Sequence, residues 1–164
     1  MSSDELLDLL DDGQPIGTIW RSQMGDNRNV RTVNAFLRNS AGQLFIPQRT
    51  AYKKHFPSAL DFSVGGYMQA GENYEAALKR EAYEELNLDL TADNFRLLAE
   101  FNPHRSGLSS FMRVYEIGTN ETPQLNPSDF SGGEWLLPAE LSSRLQASEA
   151  AKGDLLRVLN LVYS

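Results

Sequence analysis

The sequence predicts an α/β sandwich around a mixed sheet, and three observations carry that expectation. Several short segments rich in β-branched and aromatic residues precede one strongly helical stretch. Further strand-like segments follow that stretch, and two apolar helical patterns close the chain. Strands clustered on both sides of a helix, instead of alternating with helices, argue against a repeating parallel βαβ fold. The 164 residues, 41% of them apolar and 23% charged, are enough for one compact domain with a sizeable core.

Taken in order, Leu6–Leu10 and Ile16–Trp20 flank the turn "DDGQP" and predict a small N-terminal hairpin. The irregular "RSQMGDNRN" leads into "VRTVNAFLR", which "NSAGQ" turns back into "LFIPQR". Pro47 lacks an N–H, so the second strand of this hairpin is expected at an edge, an end or a bulge. "TAYKKHFPSALDF" predicts a long loop ending in a glycine-rich turn at Gly65 and Gly66. Tyr74, Leu78, Ala82 and Leu86 recur every four residues, predicting a helix with Asn73 as N-cap and Asn87 at its left-handed C-terminal end. "FRLLAEFNP" and "SSFMRVYEI" predict two strands joined by a polar loop, "HRSGL". A loop over "GTNETPQLNPSDFSGG" then leads to a short strand, "EWLL". Pro138 opens one helix, and "SEAAKGDLLRVLNLVY" is expected to form the last.

Composition excludes several classes. A net charge of −7 argues against a protein that coats nucleic-acid backbones. The chain has no cysteine, which removes disulfides, cysteine-ligated zinc and thiol catalysis together. No apolar run approaches the ~20 residues of a bilayer span, and the acidic start does not look like a secretory leader. A cytoplasmic location is the expectation.

The chemical signal lies in Glu81, Glu84 and Glu85, crowded onto one helix. Residues three and four apart share a helix face, so these carboxylates reach toward a common region. Like charges at that spacing raise one another's pKa unless a cation joins them. Mg²⁺ or Mn²⁺ suits an all-oxygen ligand set completed by water and phosphate. Arg80 lies four residues before Glu84 and is placed to fix that carboxylate. Gly65 and Gly66 allow backbone to approach a metal or phosphate closely, and Gly71 permits a bend that returns Glu72 toward the helix. A bare Arg-Glu-x-x-Glu-Glu would be read as a solvated face. Here it is joined to Gly66 and Glu72 at fixed distances, and at residue usages of about 5–7% six such matches arise by chance at roughly 10⁻⁷ to 10⁻⁸ per start.

This segment, Gly66 to Leu88, resembles the Nudix box, G-x5-E-x7-R-E-U-x-E-E-x-G-U with U apolar. Its one departure is Asn87 in place of glycine, and Asn tolerates positive φ well. "VNAFLRNSAGQLFIPQR", "KHFPSALDFSVGG" and "GGEWLLPAEL" are similar to the bacterial Nudix branch that resembles isopentenyl-diphosphate isomerase. The resemblance implies an α/β/α sandwich, a single Nudix hydrolase domain over residues 1–164 with 1–29 as an N-terminal hairpin extension. It also implies Mg²⁺- or Mn²⁺-assisted hydrolysis of a nucleoside diphosphate linked to another group. By position, Glu81, Glu84 and Glu85 match the metal-binding acids, with the Gly65 carbonyl as a further ligand. Glu81 is also a candidate for orienting or deprotonating the attacking water. Arg80 and Glu72 match the residues that position the helix, and Gly66 matches the loop glycine near metal and substrate.

Outside the box, Arg49 is a candidate phosphate contact, with Arg38, Lys53 and Lys54 as weaker ones. His104 and Arg105 fall in a loop, and Phe111 is a candidate base-stacking residue. Glu116 and Glu134 are candidates for a further catalytic carboxylate. Three rival readings stand beside the hydrolase. An isomerase of the related branch relies on a cysteine that this chain lacks. A catalytically silent nucleotide sensor would usually have lost box acids that are all present here. An RNA-end processor is disfavoured by the acidic charge. The expected partner is a small nucleotide, and the chain is either a monomer or a homodimer.

Overall fold

The structure is a computed structural model that describes residues 4–91 and 93–163. The N-terminal hairpin forms as expected, from β1 (Leu6–Asp11) and β2 (Gln14–Trp20), and is a separate two-stranded sheet. Leu7 and Leu10 are its buried anchors. Its β1 edge is tied to the body where Ala70 N–H donates to the Leu6 carbonyl at 2.8 Å and Leu10 N–H to Asn29 at 2.9 Å.

The main sheet contains β3 (Arg31–Arg38), β4 (Leu44–Arg49), β5 (Val64–Tyr67), β6 (Phe95–Phe101), β7 (Phe111–Gly118) and β8 (Phe130–Leu136). Its order is β6-β7-β3-β4-β8, with β5 also paired to β3. The β3–β7 pair is parallel and the others are antiparallel, so the sheet is mixed. Helix α1 (Tyr74–Leu86) packs Ala77, Leu78, Ala82 and Leu86 against Val33, Ala35, Leu37 and Val64 on one face. Helices α3 (Pro138–Gln146) and α4 (Leu155–Val162) bury Leu141, Leu145, Leu155 and Val158 against Phe36, Ile46 and Val114 on the other. Alternate residues of β3 therefore serve two cores, as strand geometry requires.

Four local expectations are corrected. Gly65 and Gly66 lie within β5, where they pair with Asn34 and Val33, and do not form a turn. The strand expected at "EWLL" begins earlier, at Phe130. Its Ser-Gly-Gly start reads as loop, but a side chain at Gly133 would collide with the Phe45 ring, so the strand needs glycine there. A short helix, α2 (Pro103–Ser106), occupies part of the expected polar loop, capped by the Asn102 side chain. The last helix starts at Leu155 and not at Ser148, because Ala151 bridges to Leu60 and the chain before Leu155 runs beside that residue.

The site is positioned by a fork between β3 and β4. These strands pair at Arg38–Leu44 and then separate. The returning chain descends along β4, with Arg49 N–H bonded to the Ala59 carbonyl at 2.8 Å and Asp61 N–H to that of Pro47 at 3.0 Å. It reverses at Phe62–Ser63 and rises along β3 as β5. The buried Ser63 hydroxyl sits in the crotch, accepting from Leu37 N–H and donating to the Phe45 carbonyl. It thus replaces the ladder bond that the splayed strands lose. Pro47, on the diverging strand, has no N–H to leave unpaired. Two nested V shapes result, with Asp61 on one inner arm and Gly65 on the other.

Candidate active site

Helix α1 lies beside the β5 arm. Asn73 caps its start by accepting from Ala76 N–H at 2.8 Å, and Asn87 ends it with φ at 53°. The left-handed cap that asparagine was expected to provide is therefore present, and the Asn87 amide also donates to the Gln124 carbonyl at 2.8 Å.

Arg80 organises the acids, although its main partner differs from the expected Glu84. Its Nε and Nη2 clamp both oxygens of Glu72 at 2.8 Å each. Its Nη1 donates to Glu81 at 2.8 Å and to Glu84 at 3.4 Å, and Nη2 reaches the Tyr67 carbonyl at 3.3 Å. Burial works against the charged form of Glu72, but Arg80 and the Gln69 N–H outweigh it and hold the carboxyl below its ordinary pKa. One guanidinium thus ties the loop after β5 to the helix carrying the acids.

Glu81 is 8% exposed, and its carboxylate fills the space where a Gly66 side chain would stand. Burial pushes its pKa up to about 7, against the pull of Arg80 and with the push of Glu84 and Glu5. Glu85 accepts from Gly65 N–H at 3.0 Å. Its pKa lies well above the ordinary carboxylate range, first from burial and then from the negative charges of Glu81 and Asp61. The Glu84 side chain is more than half exposed. Among the described residues, no three His, Asp or Glu side chains already converge as a cation-ligand set. Arg80 draws Glu81 to itself and Gly65 holds Glu85, which keeps like charges apart. The donor set nevertheless suits a hard divalent ion. It is all oxygen, and a cation placed there would offset the burial, and the repulsion added to it, that raise Glu81 and Glu85.

The candidates outside the box fall elsewhere. Arg49 is engaged by the loop beneath it, bonding Asp61 at 2.9 Å and the His55 and Phe56 carbonyls at 2.9–3.2 Å. Lys53 pairs with Asp129 at 2.7 Å. Phe111 lines a cavity of about 440 Å³ with Arg31, Tyr74, Glu100 and Arg113, and none of the box acids lines it. His104 stacks edge-on to Phe111 and bonds Asn29 at 2.7 Å. Glu116 is gripped by Arg38, Arg96 and the Tyr163 hydroxyl, and Glu134 pairs with Arg144 at 2.6 Å. Three residues near the acids escaped sequence reasoning: Asn34, Asp61 and Lys152. Strand alternation could have placed Asn34 opposite the glycines. Nothing local marks Lys152, which is far from them in sequence.

The NUDIX domain model matches residues 28–159, and the chain belongs to this family of hydrolases. A Nudix hydrolase from Deinococcus radiodurans is 52% identical over 163 residues, 98% of this chain and 95% of that protein. The crystal structure of a Deinococcus radiodurans protein, also 52% identical, superposes with a TM-score of 0.93 over 98% of this chain and 100% of that one. An isopentenyl-diphosphate Delta-isomerase from Citrobacter koseri is 28% identical over 158 residues, 92% of this chain and 85% of that protein. The chain is thus an enzyme of the Nudix hydrolase class with relatives among the isomerases, and its mixed sheet flanked by helices is the fold of that family.

Proposed function

We propose that the protein hydrolyses phosphoanhydride bonds in nucleoside di- or triphosphates or nucleoside diphosphate derivatives, with Mg²⁺ or Mn²⁺. The observation that carries this reading is the set of carboxylates that α1 gathers beside β5, with Glu85 on the Gly65 N–H, Glu81 in the space opposite Gly66, and Glu84 one helical turn from Arg80. Glu81, Glu84, Glu85 and the Gly65 carbonyl would hold the cation, which supplies charge neutralisation for the diphosphate and acidifies water. Glu81, buried against Gly66, is also the candidate to orient the attacking water or take its proton. The water oxygen bonds to phosphorus in line, the bridging P–O bond breaks, and its electron pair leaves with the departing phosphate or phosphoester. Arg80 and Glu72 keep the helix in register through their bidentate pair. No side-chain nucleophile is required, in keeping with a chain that has no cysteine.

The isomerase relatives prompt a second reading, alkene isomerisation of isopentenyl diphosphate, but that chemistry relies on the thiol missing here. Incubating the protein with a panel of nucleotides and nucleotide sugars, with Mg²⁺ and with Mn²⁺, tests the proposal by release of phosphate and nucleoside monophosphate. Glu85→Gln should abolish turnover with the fold intact. Near-wild-type turnover in that variant would sink the assignment, and dimethylallyl diphosphate formed from isopentenyl diphosphate would favour the isomerase.

A further inference from the structure

Lys152 brings an ammonium in among the oxygens of the fork, and its backbone fixes it there. Its N–H donates to the Leu60 carbonyl at 2.8 Å, Leu60 N–H donates to the Ala150 carbonyl at 2.9 Å, and the Lys152 carbonyl accepts from Leu155 N–H at 3.0 Å. The side chain is 31% exposed and brings Nζ to 3.8 Å from Asp61 Oδ1. The same Nζ lies 3.8 Å from the point where a Gly65 Cβ would stand. It hydrogen-bonds to no described residue, so charge alone seats it, as it would seat a free cation.

Three side chains offer oxygen around this ammonium. Asp61 is 3% exposed and gives one oxygen to Arg49 at 2.9 Å. Its Oδ1 accepts from Phe62 N–H at 2.7 Å and keeps a second lone pair. Asn34 is also 3% exposed, hydrogen-bonds through its amide to no described residue, and turns its Oδ1 toward Gly65. Glu85 accepts from Gly65 N–H at 3.0 Å; burial, Glu81 and Asp61 raise its pKa, and the Lys152 charge acts on it in the opposite sense. A buried amide oxygen without a donor, set beside carboxylates, suits a cation. Here the chain supplies that cation itself.

We propose that Lys152 is a built-in cation: its ammonium stands in for a divalent ion beside Asp61, Glu85 and the Asn34 Oδ1, and so lowers by one the number of such ions the fork holds. This rests on the reading of the acids as a divalent-cation site and adds what sets their metal count. With Lys152 in place, the anions Asp61 and Glu85 face two cations, Arg49 and Lys152, and a dication next to them is repelled. Without the ammonium, one negative charge is uncovered, and Asn34 and Asp61 present oxygen to the vacated space. The ion held by Glu81 and Glu84 on the α1 side is a separate one, and Glu85 has a second oxygen to share with it.

Counting Mn²⁺ tests this, because electron paramagnetic resonance reads the number of ions bound and their affinity without substrate or turnover. Lys152→Met, similar in length and uncharged, should bind one more Mn²⁺ per chain than the wild-type protein, about tenfold or more tighter than any additional ion in wild type. Lys152→Arg keeps the charge and should keep the wild-type count. Adding Asn34→Ala to Lys152→Met removes one oxygen and should weaken the additional ion about threefold or more. Circular dichroism checks folding, and Lys152→Ala replaces Lys152→Met if the latter folds poorly. An unchanged count in Lys152→Met, even with tighter binding, would make Lys152 a distant counter-ion and overturn the proposal. An additional ion indifferent to Asn34→Ala would lie elsewhere and overturn it too. A wild-type protein that binds no Mn²⁺ would instead bring down the metal reading of the acids. The built-in cation would then stand if Lys152→Met alone bound one ion, and fall if it bound none.

Discussion

Glu81→Gln should make the metal-free protein more stable at pH 8 while destroying its affinity for Mn²⁺. Burial raises the Glu81 pKa from 4.5 to about 7 in the folded state. The folded protein therefore holds this proton more tightly than the unfolded chain does. The sign follows by linkage: stability is fully present below pH 4.5 and is lost as pH rises through about 7. At about 1.4 kcal/mol per pH unit, the loss between pH 5 and pH 8 is about 2–3 kcal/mol. A neutral glutamine keeps the shape and escapes that loss. The stability gap between variant and wild type should thus widen by about 2–3 kcal/mol from pH 5 to pH 8, or about 5–10 °C in Tm for a chain of this size. Thermal and urea unfolding in EDTA at the two pH values measure it, and an Mn²⁺ titration checks the lost site. If both proteins changed in parallel between pH 5 and pH 8, Glu81 would not be carrying a buried proton, and the electrostatic account of the cluster would fail. The trade follows the general pattern in which functional charges are kept at the expense of stability.

Three further substitutions probe the frame around the acids. Ser63→Ala strands the Leu37 N–H and the Phe45 carbonyl in the buried crotch of the fork, and should cost about 2–4 kcal/mol in urea unfolding. Arg80→Lys cannot reproduce the two 2.8 Å bonds to Glu72; it should lower stability by about 1–3 kcal/mol and weaken Mn²⁺ binding, read by denaturation and titration. Glu134→Gln alters an exposed partner of Arg144, which retains Glu149, and should leave turnover within about twofold and stability within about 0.5 kcal/mol.

The box, the N-terminal hairpin and the helix bearing the acids were legible because each depends on local pattern: four-residue spacing, capping asparagines, and glycine and carboxylates at fixed separations; of the second expected hairpin only the Arg38–Leu44 pair forms. What escaped depends on contacts between distant segments. Gly65 and Gly66 look like turn residues until Asn34 and Val33 are seen paired with them. Arg49 ends a strand beside a loop, as a phosphate ligand would, yet Asp61 and two loop carbonyls claim its guanidinium. Ser63 is one serine among many until it is found joining the two splayed strands. Lys152 belongs to a stretch whose composition favours helix, and only its backbone bonds to Leu60 reveal why that stretch stays extended.

The fork also explains why two glycines are needed and why they adjoin. Successive residues of a strand face opposite sides of its sheet. At Gly66 the occupied side is that of α1, where the Glu81 carboxylate fills the position of a side chain. At Gly65 it is the other side, where the Asn34 amide does the same with the Lys152 ammonium behind it. A single glycine would admit a close approach from one side only, and separating the two by one residue would place both openings on the same face. Adjacent glycines on an arm paired only to β3 bring acidic oxygens and a cation within reach of the same short backbone segment from opposite directions.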